Sequence, residues 1–234
     1  MTRIARKVII GSMRLALLIL LLLPLPAKAC EVALVLAMDV SRSVDAREWR
    51  LIKRGTAEAF RNNDIIELVT WLDGGINVTV TQWSGADQQR QVLDWRRVET
   101  ASDLGHLADD IEAMLRVFRF ELTAPAEALE HAFSLREDLP QKCRRYVIDI
   151  AGDGVRNTGG DTNLVANAIE AEGVTINGLV VRGDTPDPLE FYLTEVQRGP
   201  LSFIEISEGY DNFPRAMFRK LLRELTPSLS MRLE

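Results

Sequence analysis

The sequence has 234 residues, 47% of them hydrophobic and 26% charged, and a formal net charge of -6. That acidic balance argues against a nucleic-acid partner, because a phosphate backbone is gripped by clustered Lys and Arg. No Pro/Gly/Ser-rich linker, low-complexity tract or internal repeat divides the chain, so one hydrophobic core is expected.

The first segment places Arg3, Arg6, Lys7 and Arg14 ahead of the apolar run Leu15 to Leu25, followed by the small-residue stretch Ala27-Lys28-Ala29. This is the pattern of a signal peptide. The run is too short to span a bilayer comfortably and is broken by Pro24 and Pro26, so no transmembrane anchor is expected to remain after cleavage. Residues 1–29 are therefore expected to be a removed leader and residues 30–234 a single exported domain, periplasmic or secreted. Loss of Arg3, Arg6, Lys7, Arg14 and Lys28 with the leader leaves the rest more acidic still. Cleavage after Ala29 makes Cys30 the first mature residue, which opens the alternative of a lipid anchor, although Lys28 fits poorly in such a cleavage region.

Beyond the leader, Val32 to Met38 is a continuous apolar run, the signature of a strand buried on both faces. A start signal at Ser43 or Asp45 precedes Trp49, Ile52, Ala59 and Phe60 at helical spacing. Ile76 to Trp83 alternates as a strand, Gly85 and Asp87 turn the chain, and Gln91 to Trp95 returns as a short antiparallel strand. Leu104, Leu107, Ala108, Ile111, Leu115 and Phe118 mark a second amphipathic helix. Thr123 opens a third, with Pro125 tolerated in its first turn. Strands at Tyr146 to Ile150, Val174 to Val181 and Phe203 to Ile206 then alternate with helices around Ile169, at Leu189 to Val196 and at Phe213 to Leu225. The order predicts an α/β fold, doubly wound, with a mainly parallel central sheet, one antiparallel edge strand and helices on both faces.

Two cysteines in an exported chain invite pairing. Cys30 and Cys143 each precede an apolar strand, at nearly equal distances before Asp39 and Asp153. If the two strands are parallel neighbours, the sulfurs lie at one level and a disulfide is expected; two unpaired thiols are the alternative.

Open sheets of this class bind ligands beyond the carboxyl ends of their strands, near the point where strand order reverses. After the two most apolar strands come Asp39-Val40-Ser41-Arg42-Ser43 and Gly152-Asp153-Gly154. Both loops are rich in oxygen. Alternate side chains of an extended loop point the same way, so Asp39, Ser41 and Ser43 have the means to converge, and Gly154 would let the backbone turn after Asp153. Magnesium, with its preference for near-octahedral oxygen ligation and retained waters, suits one or two carboxylates with hydroxyls; calcium would want more carboxylate. Each piece has a plainer reading: Asp39-x-Ser41-x-Ser43 as the cap of a helix beginning near Val44, Thr123 as a simple N-cap, and Asp153-Gly154 as an ordinary turn. Asp149, an acid within a predicted buried strand, is expected either to support the site from behind or to lie at the strand's exposed edge.

Asp-x-Ser-x-Ser after the first strand, a Thr opening a mid-chain helix and Asp-Gly after a later central strand resemble the metal-ion-dependent adhesion site of von Willebrand factor type A and integrin inserted domains. The likeness covers residues 31 to 226, includes Gln82-Trp83-Ser84, and extends to a bacterial family of uncharacterised exported proteins of this type. The resemblance implies hydroxyl ligands from Ser41, Ser43 and Thr123, with Asp39 and Asp153 acting directly or through water. It implies magnesium or manganese as the ion and a protein partner whose Asp or Glu carboxylate completes the coordination. Ala124-Pro125 replaces the glycine-containing surroundings often seen after the Thr, and Arg42 places a cation close to the ion; neither removes a ligand.

Other chemistry is poorly provided for. His106 and His131 lie far from any Cys pair and from any Gly-x-Ser-x-Gly loop, Asn77-Val78-Thr79 falls in a predicted strand, and no Gly-rich phosphate loop with Lys occurs. A cation-dependent binding module is the expectation, not an enzyme. A metal-assisted hydrolase is the rival, but the predicted loops offer only Arg42, Asp45 and Arg156 nearby, none a good base at neutral pH. A metal-free structural subunit is the third reading.

Overall fold

Val32 to Met38 is apolar throughout, so both sheet faces must be covered there, and β1 (Cys30–Asp39) is buried at all ten positions. It lies inside a six-stranded sheet of order β3-β2-β1-β4-β5-β6, formed with β2 (Ile76–Trp83), β3 (Gln89–Val98), β4 (Cys143–Gly152), β5 (Thr175–Arg182) and β6 (Ile204–Glu208). The computed structural model describes residues 29–119 and 122–226; nearly all of the predicted leader, and the signal-peptide and cleavage readings with it, lies outside the described residues. Only the edge strand β3 is antiparallel; β1 pairs in parallel with β2 and β4, β4 with β5, and β5 with β6. No helix among the described residues is long and apolar enough to cross a membrane.

The period-2 pleat of β1 sorts its side chains between two cores. Val32, Leu34, Leu36 and Met38 face one layer, built by α1 (Ala46–Phe60), α2 (Asn63–Trp71), α3 (Ala101–Ala113) and α6 (Phe213–Leu225). Ala33, Val35 and Ala37 face the other, where α4 (Pro125–Ser134) and α5 (Thr162–Ala171) pack with the α-turn Leu189–Phe191 and the π-turn Tyr192–Val196. The second face carries small residues on both sides of the contact, Ala33 and Ala37 with Ala128 and Ala132 on α4, which brings helix and sheet close.

The chain departs from the sequence reading at four places. The helical pattern from Trp49 to Phe60 is followed by a separate helix, α2, which was not expected. Asn62 accepts a hydrogen bond from the Asp64 N–H and starts it, but only Ile65 and Val69 are buried, too few to leave a periodic trace. Helix α3 ends at Ala113 rather than running to Phe118, because Met114 is extended and Gln82 of β2 holds the next segment, donating to the Leu115 carbonyl and accepting from the Val117 N–H. Leu115 is consequently 79% exposed instead of being a core residue. Strand β3 is longer than Gln91 to Trp95, since ladder hydrogen bonds continue past the bulges at Val78 to Thr81. Finally, α4 is capped at Ala124 with no side-chain bond, so Thr123 precedes the helix and its hydroxyl is not used for capping.

Cys30 and Cys143 are direct register partners on β1 and β4 and form a disulfide, at the end of the sheet opposite the Asp39 loop. Asp149 is not at an exposed strand edge. It is buried on β4, three register steps below the end of β1, with Lys220 Nζ at 2.9 Å. Lys220 also meets Glu224 at 3.0 Å, and Glu224 in turn accepts from Asn177. An acid on a core-facing position is tolerated because a helix delivers a cation to it.

Candidate functional site

The carboxyl ends of β1 and β4 form the rim on which the oxygen-rich loops meet. The loop after β1 leaves the sheet with the Val40 N–H bonded to the Trp83 carbonyl, and turns because Asp39 Oδ1 accepts the Ser41 N–H at 2.7 Å. Ser41 Oγ then lies 3.2 Å from Ser43 Oγ, and Ser43 Oγ donates to Asp153 Oδ1 at 2.7 Å, joining residues 110 positions apart. The cap of α1 is Asp45, in a reciprocal box with Glu48, so the helix-cap reading of Asp39, Ser41 and Ser43 does not hold. Nor is Asp153 part of a plain turn: its second oxygen accepts the Tyr210 hydroxyl at 2.8 Å.

Thr123 reaches the same rim from the other side. Its N–H donates to Asn157 Oδ1 at 2.7 Å, the Asn157 N–H returns a bond to the Thr123 carbonyl, and the Ala124 N–H donates to the Ser84 carbonyl at the end of β2. Its hydroxyl stands 3.6 Å from where a side chain on Gly154 would begin. Gly154 has no positive φ, so the sharp turn expected there is not what requires glycine. Gly152 is the tight position: a Cβ on it would come within 2.6 Å of the Tyr192 hydroxyl and 2.9 Å of Asp39 Oδ2.

Three groups that the sequence did not single out shape this rim. Arg116 donates to the carbonyls of Val40 at 2.7 Å, Ser41 at 2.8 Å and Val44 at 2.5 Å, and so clamps the Asp39 to Ser43 loop from behind. It sits in the stretch read as helix, where an Arg passes for a solvated charge. Tyr210 and Tyr192 come from elements more than a hundred residues distant from β1, and no spacing rule links them to it. Arg42, by contrast, is exposed beside the serines, as its place between them implied.

Electrostatically the rim is unfavourable as it stands. Burial, and then the neighbouring Asp153 charge, push the Asp39 carboxyl up to about 8 in spite of its bonds from Ser41. Burial also raises Asp153, against the bonds from Ser43 and Tyr210. Asp39 Oδ2 and the Tyr192 hydroxyl are buried without a hydrogen-bond partner, each a desolvated group worth roughly 1–3 kcal/mol of lost stability. The described residues include no cluster of three His, Cys, Asp or Glu side chains, so any cation held here would depend on hydroxyls as well as carboxylates. Two carboxylates, one of them with an orphaned buried oxygen, and three hydroxyls make a hard-oxygen donor set of the kind that suits magnesium or manganese.

The sequence matches no curated protein. Among solved structures, proximal thread matrix protein 1 of the mussel byssus superposes with a TM-score of 0.63 at 18% identity, over 85% of this chain and 49% of that one. A further structure of the mussel protein is described as having a zinc-occupied MIDAS motif. The pilus adhesin SpaC from Lactobacillus rhamnosus GG superposes with a TM-score of 0.59 at 12% identity, over 84% of this chain and 31% of that one. A von Willebrand factor type A protein from Catenulispora acidiphila gives 0.54 at 15% identity, over 84% and 42%. This chain thus spans about half, or less, of the length of each. The fold is that of the von Willebrand factor type A domain. The family model described as "Protein of unknown function (DUF1194)" matches residues 29–229, and the chain belongs to that family.

Proposed function

We propose that this protein is an exported, cation-dependent protein-binding module. In this reading Asp39, Ser41, Ser43, Thr123 and Asp153 hold one divalent ion, magnesium or manganese in preference to calcium, and a carboxylate of the partner completes its coordination. The observation that carries the proposal is the hydrogen-bonded chain Ser41–Ser43–Asp153, closed over a buried Asp39 with an unsatisfied oxygen. Two carboxylates raised by burial, Asp39 also by the charge of Asp153 and Asp153 by that of Asp184, gain most from a cation between them. The likeness to a pilus adhesin and to a matrix protein supports an interaction role, and the Cys30–Cys143 disulfide supports export. Binding is preferred over hydrolysis because Asp45, two residues past Ser43, caps α1 and is held below the ordinary carboxylate range by the N–H groups of Glu48 and Arg47, while Glu48, raised by burial, is engaged by the Asp45 N–H in the same capping box.

Titration calorimetry with magnesium, manganese and calcium tests the proposal. Binding heat is expected for the wild type and none for Ser41→Ala or Asp153→Ala, whose circular dichroism should stay that of the wild type because both groups stand at the rim. Wild-type protein that gives no heat with any of the ions would leave a metal-free structural subunit.

A pH dependence follows from the raised Asp39. Without an ion, a carboxyl whose folded pKa lies above its unfolded value contributes stability at low pH, and loses it as pH rises through about 8. A cation takes the proton's place. The increase in Tm on adding magnesium is therefore expected to be larger near about pH 9 than near about pH 5, as thermal unfolding followed by circular dichroism would show.

A further inference from the structure

Beside the rim runs a groove of about 530 Å³ between α1 and the segment that follows α3. Five cations line it, Arg42, Arg50, Lys53, Arg116 and Arg119, against the single acid Asp45. In a chain with a net charge of -6 this concentration is anomalous. Arg116 is occupied in clamping the loop carbonyls, and Lys53 reaches the Met114 carbonyl at 3.4 Å. Arg42, Arg50 and Arg119 are exposed and form no ion pair among the described residues, although carboxylates elsewhere on the surface pair readily with arginines. Burial, and then the charge of Arg119, hold the Arg116 guanidinium below its ordinary range, against the pull of Asp39, Tyr210 and Asp45.

The groove is also partly apolar. Trp49 and Met114 form part of its lining, both nearly buried, and Leu115 stands at its edge 79% exposed. Leu115 is held there by the Gln82 bonds that end the preceding helix. Bare phosphate or sulfate groups would leave this apolar surface unused, whereas a polypeptide alternating carboxylates with aliphatic side chains would use both kinds of contact.

Resting on the cation-dependent reading of the rim for the place of the partner's anchoring carboxylate, we propose that this groove is the specificity surface of the same site and takes an acidic, aliphatic segment of a protein. Its carboxylates meet Arg42, Arg50, Lys53 and Arg119, and an aliphatic side chain packs on Leu115 and Trp49. Attraction of this sort selects and steers partners, and it weakens with salt.

The test uses a short fluorescent peptide alternating Glu and Leu, followed by anisotropy in magnesium, with a Gln/Leu peptide, a sulfated oligosaccharide and anionic phospholipid vesicles as competitors. Arg50→Glu combined with Arg119→Glu leaves every rim oxygen in place, and magnesium calorimetry on that variant reports whether the ion site is intact. The expected result is binding of the Glu/Leu peptide, weakened by salt and by chelator, and at least about tenfold weaker in the double variant with its magnesium heat unchanged. Equal binding of the Gln/Leu peptide, wild-type affinity in the double variant, or no binding to the wild type overturns the proposal. So does stronger competition from the oligosaccharide or the vesicles. If chelator has no effect but charge reversal still weakens binding, the groove stands and it is the cation reading that fails.

Discussion

Removal of the Cys30–Cys143 bridge, by reduction or by Cys30→Ser with Cys143→Ser, is expected to lower stability by about 4–5 kcal/mol in the chain-entropy account. The bridge closes a loop of sequence separation 113, so its main effect falls on the unfolded chain, which loses much of its freedom. In the folded protein the two residues are already register partners on adjacent strands, and the sheet would hold them side by side without the bond. For a domain of this size the corresponding fall in Tm is roughly 8–20 °C. Thermal unfolding with and without reductant measures it. A fall smaller than about 3 °C would mean that the unfolded chain is confined by something other than the bridge.

Replacing Lys220 by Met is expected to destabilise the protein by about 3–5 kcal/mol, the usual result of taking one partner from a buried ion pair. Lys220, Asp149 and Glu224 are all essentially inaccessible, and Lys220 is the cation that both carboxylates face. Burial pushes the Asp149 carboxyl up to about 7 even with Lys220 pulling it down, and loss of the ammonium pushes it further up. The sign of the pH effect follows. A carboxyl whose folded pKa is raised contributes stability at low pH that is lost as pH rises through the folded value. The deficit of Lys220→Met should therefore be smaller near about pH 5, where Asp149 is already neutral, than near about pH 8. Adding Asp149→Asn to Lys220→Met should restore part of the loss, because the amide removes one of the two carboxylates left without their cation, Glu224 being the other; urea unfolding of the single and double variants at the two pH values reports this coupling. Equal deficits at both pH values would show that packing of the lysine stem, rather than charge, is what Lys220 contributes.

Much of the candidate site could be read from the chain because it follows strand ends, and strand ends are marked by where apolar runs stop. Asp39 and Asp153 each close such a run, and the disulfide could be anticipated because Cys30 and Cys143 lie at nearly equal distances before them. The same reasoning left Asp149 between two places, since a strand position states only that a side chain faces a core. It does not state that a helix seventy residues later will deliver Lys220 there. Helix α2 and the early end of α3 escaped for a related reason: one buries too few residues to show a period, and the other is ended by a long-range contact from Gln82.

The alternation of strands and helices, the doubly covered β1 and the oxygen-rich loops after β1 and β4 are all written in the chain, because they depend on the local periodicity with which apolar groups leave water. Which groups meet is set by the folded sheet: Ser43 with Asp153, Tyr210 with that same carboxylate, Arg116 behind the loop, and beside it arginines without an ion pair among the described residues. A hydrogen bond or an ion pair joins side chains by distance in space, and chains far apart in sequence are brought to that distance only once the sheet has closed and its register is set.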